Sequence, residues 1–89
     1  MIEQLREKYP NIYDTFFNWF KDKQKGIITN YSDFINFLDN EKLLIGITVD
    51  KDGIDWIIEI NGIFLDFAKS RQEATELAID ECFNILENH

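Results

Sequence analysis

Eighty-nine residues with 17 acidic side chains against nine lysines and arginines carry a formal net charge of −8 at pH 7. That is enough chain for one small domain with a modest core, often helped by oligomerisation or a partner. The acid excess argues against ordinary phosphate-backbone binding, which needs lysines and arginines to displace counterions. One cysteine, Cys82, rules out an intrachain disulfide and points to a reducing compartment such as a host bacterial cytoplasm.

In chain order, Met1 to Pro10 mixes Glu3, Arg6, Glu7 and Lys8 among apolar residues. This argues against a signal-peptide core, and no run approaches membrane-spanning length, so a soluble protein without a membrane partner is expected. Met1 to Tyr9 fits a short helix with Ile2, Leu5 and Tyr9 on one side, restarted at Pro10, a residue tolerated in a first helical turn. Ile12, Tyr13, Phe16, Phe17, Trp19 and Phe20 then recur at helical spacing, and Lys21 to Gly26 supplies the lysines and glycine that end a helix. Another short helix starts near Ser32, holds Phe34, Ile35, Phe37 and Leu38, and ends around Asn40.

Three strands follow. Leu43, Ile45, Ile47 and Val49 alternate with Leu44, Gly46, Thr48 and Asp50, which gives the first strand one apolar face. Asp50 to Gly53 closes a short hairpin, its glycine taking a positive φ. In the second strand Ile54, Trp56, Ile58 and Ile60 alternate with Asp55, Ile57 and Glu59. Asn61-Gly62 is the dipeptide favoured by type I′ turns, and a third strand, Ile63 to Phe67, puts Ile63, Leu65 and Phe67 on one face.

The last helix opens with a capping box in which Ser70 caps an early backbone N–H while Glu73 reaches back to Ser70. Ala74, Leu77, Ala78, Cys82, Ile85 and Leu86 form its apolar stripe, and the alanines permit close approach to a sheet. The expected fold is α+β: N-terminal helices, a three-stranded antiparallel meander, and a long C-terminal helix packed on the sheet. Residues 1–89 form one domain, with a helical, aromatic-rich part over 1–40 and a βββα part over 43–88.

The element order of residues 31–88, with a last helix opened by Lys69-Ser70-Arg71-Gln72-Glu73-Ala74, resembles the double-stranded RNA-binding domain. That family places a basic cluster at this helix start, whereas Gln72, Glu73 and Glu76 follow here, so the resemblance extends to topology and not to RNA binding. In being short, acidic, single-domain and free of catalytic motifs, the chain is similar to small phage accessory proteins, including anti-CRISPR inhibitors. Abundant isoleucine, asparagine, phenylalanine and lysine match an AT-rich coding genome, such as a low-GC bacterium or its phage.

Site chemistry is sparse. Asp50, Asp52, Gly53 and Asp55 lack the EF-hand spacing and read as a hairpin turn. His89 is the only histidine, so neither a catalytic histidine nor a metal site is expected. Cys82 lies on the apolar side of a helix and reads as core. Seventeen carboxylates show no spacing that singles out a catalytic pair. No enzyme activity and no cofactor are expected.

Two surfaces remain as candidates. Residues 1–25 hold four acids and five bases, whereas residues 26–89 hold thirteen acids and four bases. Glu73, Glu76 and Asp80 rise along the last helix in steps of about 4.5 to 6 Å. Together with Asp66, Glu81 and Glu87 they can imitate a phosphate backbone; the plainer reading is a solvated helix face. Phe16, Phe17, Trp19 and Phe20 read either as core, packed on the second face of the sheet around Leu44, Ile57 and Phe64, or as an exposed dimer or partner surface. The expected function is accordingly an acidic phage or mobile-element protein that inhibits a nucleic-acid-binding host protein, such as a defence nuclease, by filling its basic groove. The alternative is a homo-oligomeric structural or adaptor protein, such as a homodimer, built through the aromatic helices.

Overall fold

The computed structural model describes residues 2–23 and 31–88. The chain runs α1 (Ile2–Lys8), α2 (Pro10–Lys23), α3 (Tyr31–Asn40), β1 (Ile45–Val49), β2 (Trp56–Ile60), β3 (Ile63–Ala68) and α4 (Arg71–Glu87). It is an α+β fold with a three-stranded antiparallel sheet in the order β1-β2-β3. The expected helix stop at Gly26 and the lone His89 lie outside the described residues.

Local chemistry sets most boundaries. Pro10 opens α2 where its missing N–H costs nothing, while the N–H of Tyr13 still reaches the Tyr9 carbonyl at 2.9 Å, so α1 and α2 meet at a tight joint. Ser70 caps α4 by accepting the Glu73 N–H at 3.1 Å. The Glu73 carboxylate returns to the N–H of Lys69 at 3.3 Å, one residue earlier than the expected capping box. Asn61 and Gly62 take φ of 54° and 79°, as a type I′ turn requires.

The end of α3 carries no glycine signal in the sequence. Lys42 occupies the left-handed region with φ of 66°, its N–H reaching the Asp39 carbonyl while the N–H of Leu43 reaches the Leu38 carbonyl at 2.9 Å. This is a Schellman stop, normally a glycine position. Leu43 packs against the core that holds Leu38, which offsets the strain at Lys42.

Packing differs from expectation in three ways. First, α2 does not cover the second face of the sheet. It packs on α3 and α4, and Phe16, Phe20, Phe34, Phe37, Ile79, Cys82 and Phe83 share one buried cluster with Leu5, Tyr9 and Tyr13. Secondly, α4 is buried over roughly half its circumference because it serves two cores. Ala74 and Ala78 lie against Ile58 and Ala68 of the sheet, while Ile79, Cys82 and Phe83 face the helices. The buried arc is therefore rotated towards the helices relative to the expected stripe, which leaves Leu77 exposed.

Thirdly, a bulge in β3 between its pairings with Ile58 and Glu59 makes Leu65 an extra residue. Phe64 sits opposite Glu59 and Phe67 opposite Ile57, so the two aromatics share one face with ring centroids 5.0 Å apart. Strict alternation would have set Phe67 beside Ile63 and Leu65.

Candidate functional site

The acidic edge of α4 is largely an internal fastening. Asp80 accepts the Lys8 ammonium at 2.9 Å and the Tyr9 hydroxyl at 3.1 Å. Glu76 accepts the Tyr31 hydroxyl and the Gln72 amide. Glu87 accepts the Ile12 N–H at 2.8 Å and the Asn11 amide at 2.9 Å. Ile12 lies in the first turn of α2, where backbone N–H groups have no helical partner and the helix dipole favours an anion. Glu87 thus caps α2 from 75 residues away. Replacing Glu87 with alanine should lower stability by about 1 kcal/mol and raise amide exchange in the first turn of α2, whereas Glu87→Gln keeps an acceptor and should cost less. An unchanged exchange rate at Ile12 in Glu87→Ala would overturn the capping role.

Of the proposed charge ladder, Asp66 and Glu73 are exposed and Glu81 half-buried, while Glu76, Asp80 and Glu87 are tied to α1, α2 and α3. The two cations at the start of α4 are also engaged. Lys69 pairs with Asp55 at 2.9 Å, and the Arg71 guanidinium lies 5.5 Å from the centroid of the Trp56 ring. Among the aromatic candidates, Phe16 and Phe20 are buried, Trp19 is half-buried, and Phe17 is 46% exposed with the Lys21 ammonium 5.9 Å from its ring centroid. An aromatic surface built from all four does not form, because α3 and α4 enclose Phe16 and Phe20.

What the fold does expose is the second face of the sheet. Phe67 (50% exposed) stands there opposite half-buried Ile57 and Phe64 (54%) opposite Glu59, while Leu44 (56%) precedes β1 at the hairpin end of the sheet. Glu59 lies among them, paired across the sheet with Gly46 on one side and Phe64 on the other. The three strands contain Glu59 and Asp66 but no lysine or arginine. Asp66 accepts the adjacent Phe67 N–H at 2.7 Å. Alternation along the strand sequences marks Leu44, Ile57, Glu59 and Phe64 for this face, but Phe67 reaches it only through the bulge.

Buried acids and paired cations give a directional pH response. Burial pushes the Cys82 thiol up from 9.0 to about 12, which leaves it un-ionised and unsuited to act as a nucleophile. Burial likewise raises Tyr9 and Tyr13, and the hydrogen bond to Glu76 raises Tyr31. Hydrogen bonds to Asp80 and Asp55 raise Lys8 and Lys69. Each group keeps its proton in the folded state at a pH where the unfolded chain has released it, so stability falls as pH rises.

The urea midpoint should therefore hold near neutrality and decline between pH 9 and about 12, with the thiol contributing up to about 1.4 kcal/mol per pH unit. A flat midpoint across that window would contradict it. Glu76 acts in the opposite direction: the Tyr31 hydrogen bond lowers its pKa, so its contribution is present above 4.5 and is lost in acid.

No group of three or more His, Cys, Asp or Glu side chains among the described residues is placed to hold a metal ion, and no described helix is long and apolar enough to cross a membrane. Comparison of the chain with protein families, curated proteins and solved structures finds no match.

Proposed function

We propose that this protein is an acidic binding module that seats the open face of its sheet on a basic protein surface and so excludes the nucleic acid that belongs there. In that role it is an inhibitor encoded by a phage or mobile element, of the anti-CRISPR or wider anti-defence type. The observation that carries this reading is the chemistry of the open face: Leu44, Phe64 and Phe67 exposed, Glu59 among them, and no basic residue in the strands. An apolar centre with a carboxylate, Glu59, and no cation in its strands fits a partner that brings the cations. Phe64 and Phe67 act as anchors, while the net charge of −8 steers the approach. Glu76, Asp80 and Glu87 contribute to this field, but their contacts hold the helices together. Asp66 and Glu73 are the acids of the ladder most open to a partner.

The test is inhibition of purified RNA-guided and restriction nucleases at low and high salt, with the wild type and with the Phe64→Ser/Phe67→Ser double variant. Inhibition should weaken at least tenfold at high salt and fall by about a hundredfold in the variant. No effect on any nuclease, or equal inhibition by the variant, would overturn the reading.

A second reading, a homodimer, is favoured by the edge strand β1. Its sequence from Ile45 to Val49 carries no charge, whereas β3 has a bulge and Asp66 on its edge. The contact would lie in the sheet and not in Phe16 and Phe20. Light scattering separates the readings, since a salt-resistant dimer supports the second and a monomer at both salt concentrations the first.

A further inference from the structure

On the α4 side of the sheet, between the tip of the β2–β3 hairpin and the C-terminal half of α4, lies a groove of about 280 Å³. Ile60, Ile63, Leu65 and Ile85 supply apolar walls, Phe64 lines the same groove, and Glu81 is the one ionisable side chain on it among the described residues. Asn61 also lines it, but its Oδ1 already accepts the Leu44 N–H at 2.8 Å. The groove therefore offers a hydrocarbon channel with a carboxylate and no described cation.

We infer that this groove takes an arginine or lysine side chain of the docked partner, its methylene stem against Ile63 and Leu65 and its charged head at Glu81. Long cationic side chains are built in this way, with an apolar stem and a charged tip. A carboxylate beside apolar walls favours such a group over a neutral or anionic one of the same length. Phe64 belongs to both the groove and the open face, so one basic anchor can enter while the aromatic pair is covered. The inference rests on the reading of the sheet face as the docking surface.

The experiment uses n-hexylguanidinium as a probe, followed by backbone amide shifts of the whole protein, with hexanoate and hexanol as controls. Saturable shifts at Ile63, Phe64, Leu65, Glu81 and Ile85 are expected for the cation. Its affinity should exceed that of either control by about fivefold, an advantage lost in Glu81→Gln. Exposed Ile63→Ser, which does not disturb the core, should weaken all three probes. Equal binding of hexanoate, an unaltered preference in Glu81→Gln, or shifts elsewhere would overturn the inference. None of those outcomes bears on nuclease inhibition by the Phe64 and Phe67 surface, so the two failures are distinguishable.

Discussion

Replacing Phe16 with alanine is expected to remove about 3–5 kcal/mol of stability, most of what a domain of this size possesses. Phe16 is fully buried and lies at the centre of the aromatic cluster. Its ring stacks on Phe34 at 4.7 Å, meets Phe37 edge-on at 5.3 Å, and lies within 6.5 Å of Tyr13, Trp19, Phe20 and Phe83. Those partners come from α2, α3 and α4, so the cavity would open where three helices meet. No single side chain can relax into it without breaking another pair. Urea unfolding followed by far-UV circular dichroism checks the result, and a loss below about 1 kcal/mol would show that this core collapses freely. Phe17, one residue on and exposed, serves as the control and should change stability little.

Ile58→Ala should cost about 2–5 kcal/mol and still leave a single unfolding transition. Ile58 is fully buried in the central strand beneath Ala74 and Ala78, in the smaller of the two cores. That core shares α4 with the aromatic cluster, and Ile45 packs against both. Loss of either should therefore release the same helix. The two tryptophans report the halves separately, Trp19 beside the aromatic cluster and Trp56 beside the sheet core. In Trp19→Phe and Trp56→Phe backgrounds, fluorescence curves for Ile58→Ala should superimpose. A sheet signal lost before the helical one would show that α4 does not couple the halves.

The acidic segment illustrates how composition and geometry can point in different directions. Glu73, Glu76, Asp80 and Glu87 do fall within a narrow arc of α4, as helical periodicity requires. Periodicity cannot say whether that arc faces water or another helix. Lys8, Tyr9, Tyr31 and the N-terminus of α2 arrive there from distant parts of the chain, and they convert three of the carboxylates into acceptors. Charge reversal at Glu76 and Asp80 therefore perturbs folding as well as any partner contact. Substitution at Phe64 and Phe67 is the cleaner test of function.

Local signals along the chain place the elements and most of their limits. Alternation defined the strands, Asn61-Gly62 and Gly53 defined the turns, Pro10 and Ser70 opened their helices, and Cys82 was assigned to the interior. These signals are local, since each depends on φ preferences, capping or side-chain period within a few residues. Long-range packing sets the rest. It set which face of the sheet the aromatic helix left bare, turned α4 to serve two cores, and moved Phe67 across the sheet through a bulge. It also stopped α3 at a strained Lys42, held by the packing of Leu43. Each of these outcomes depends on burying apolar area and pairing polar groups between residues far apart in the chain. No local pattern encodes that balance.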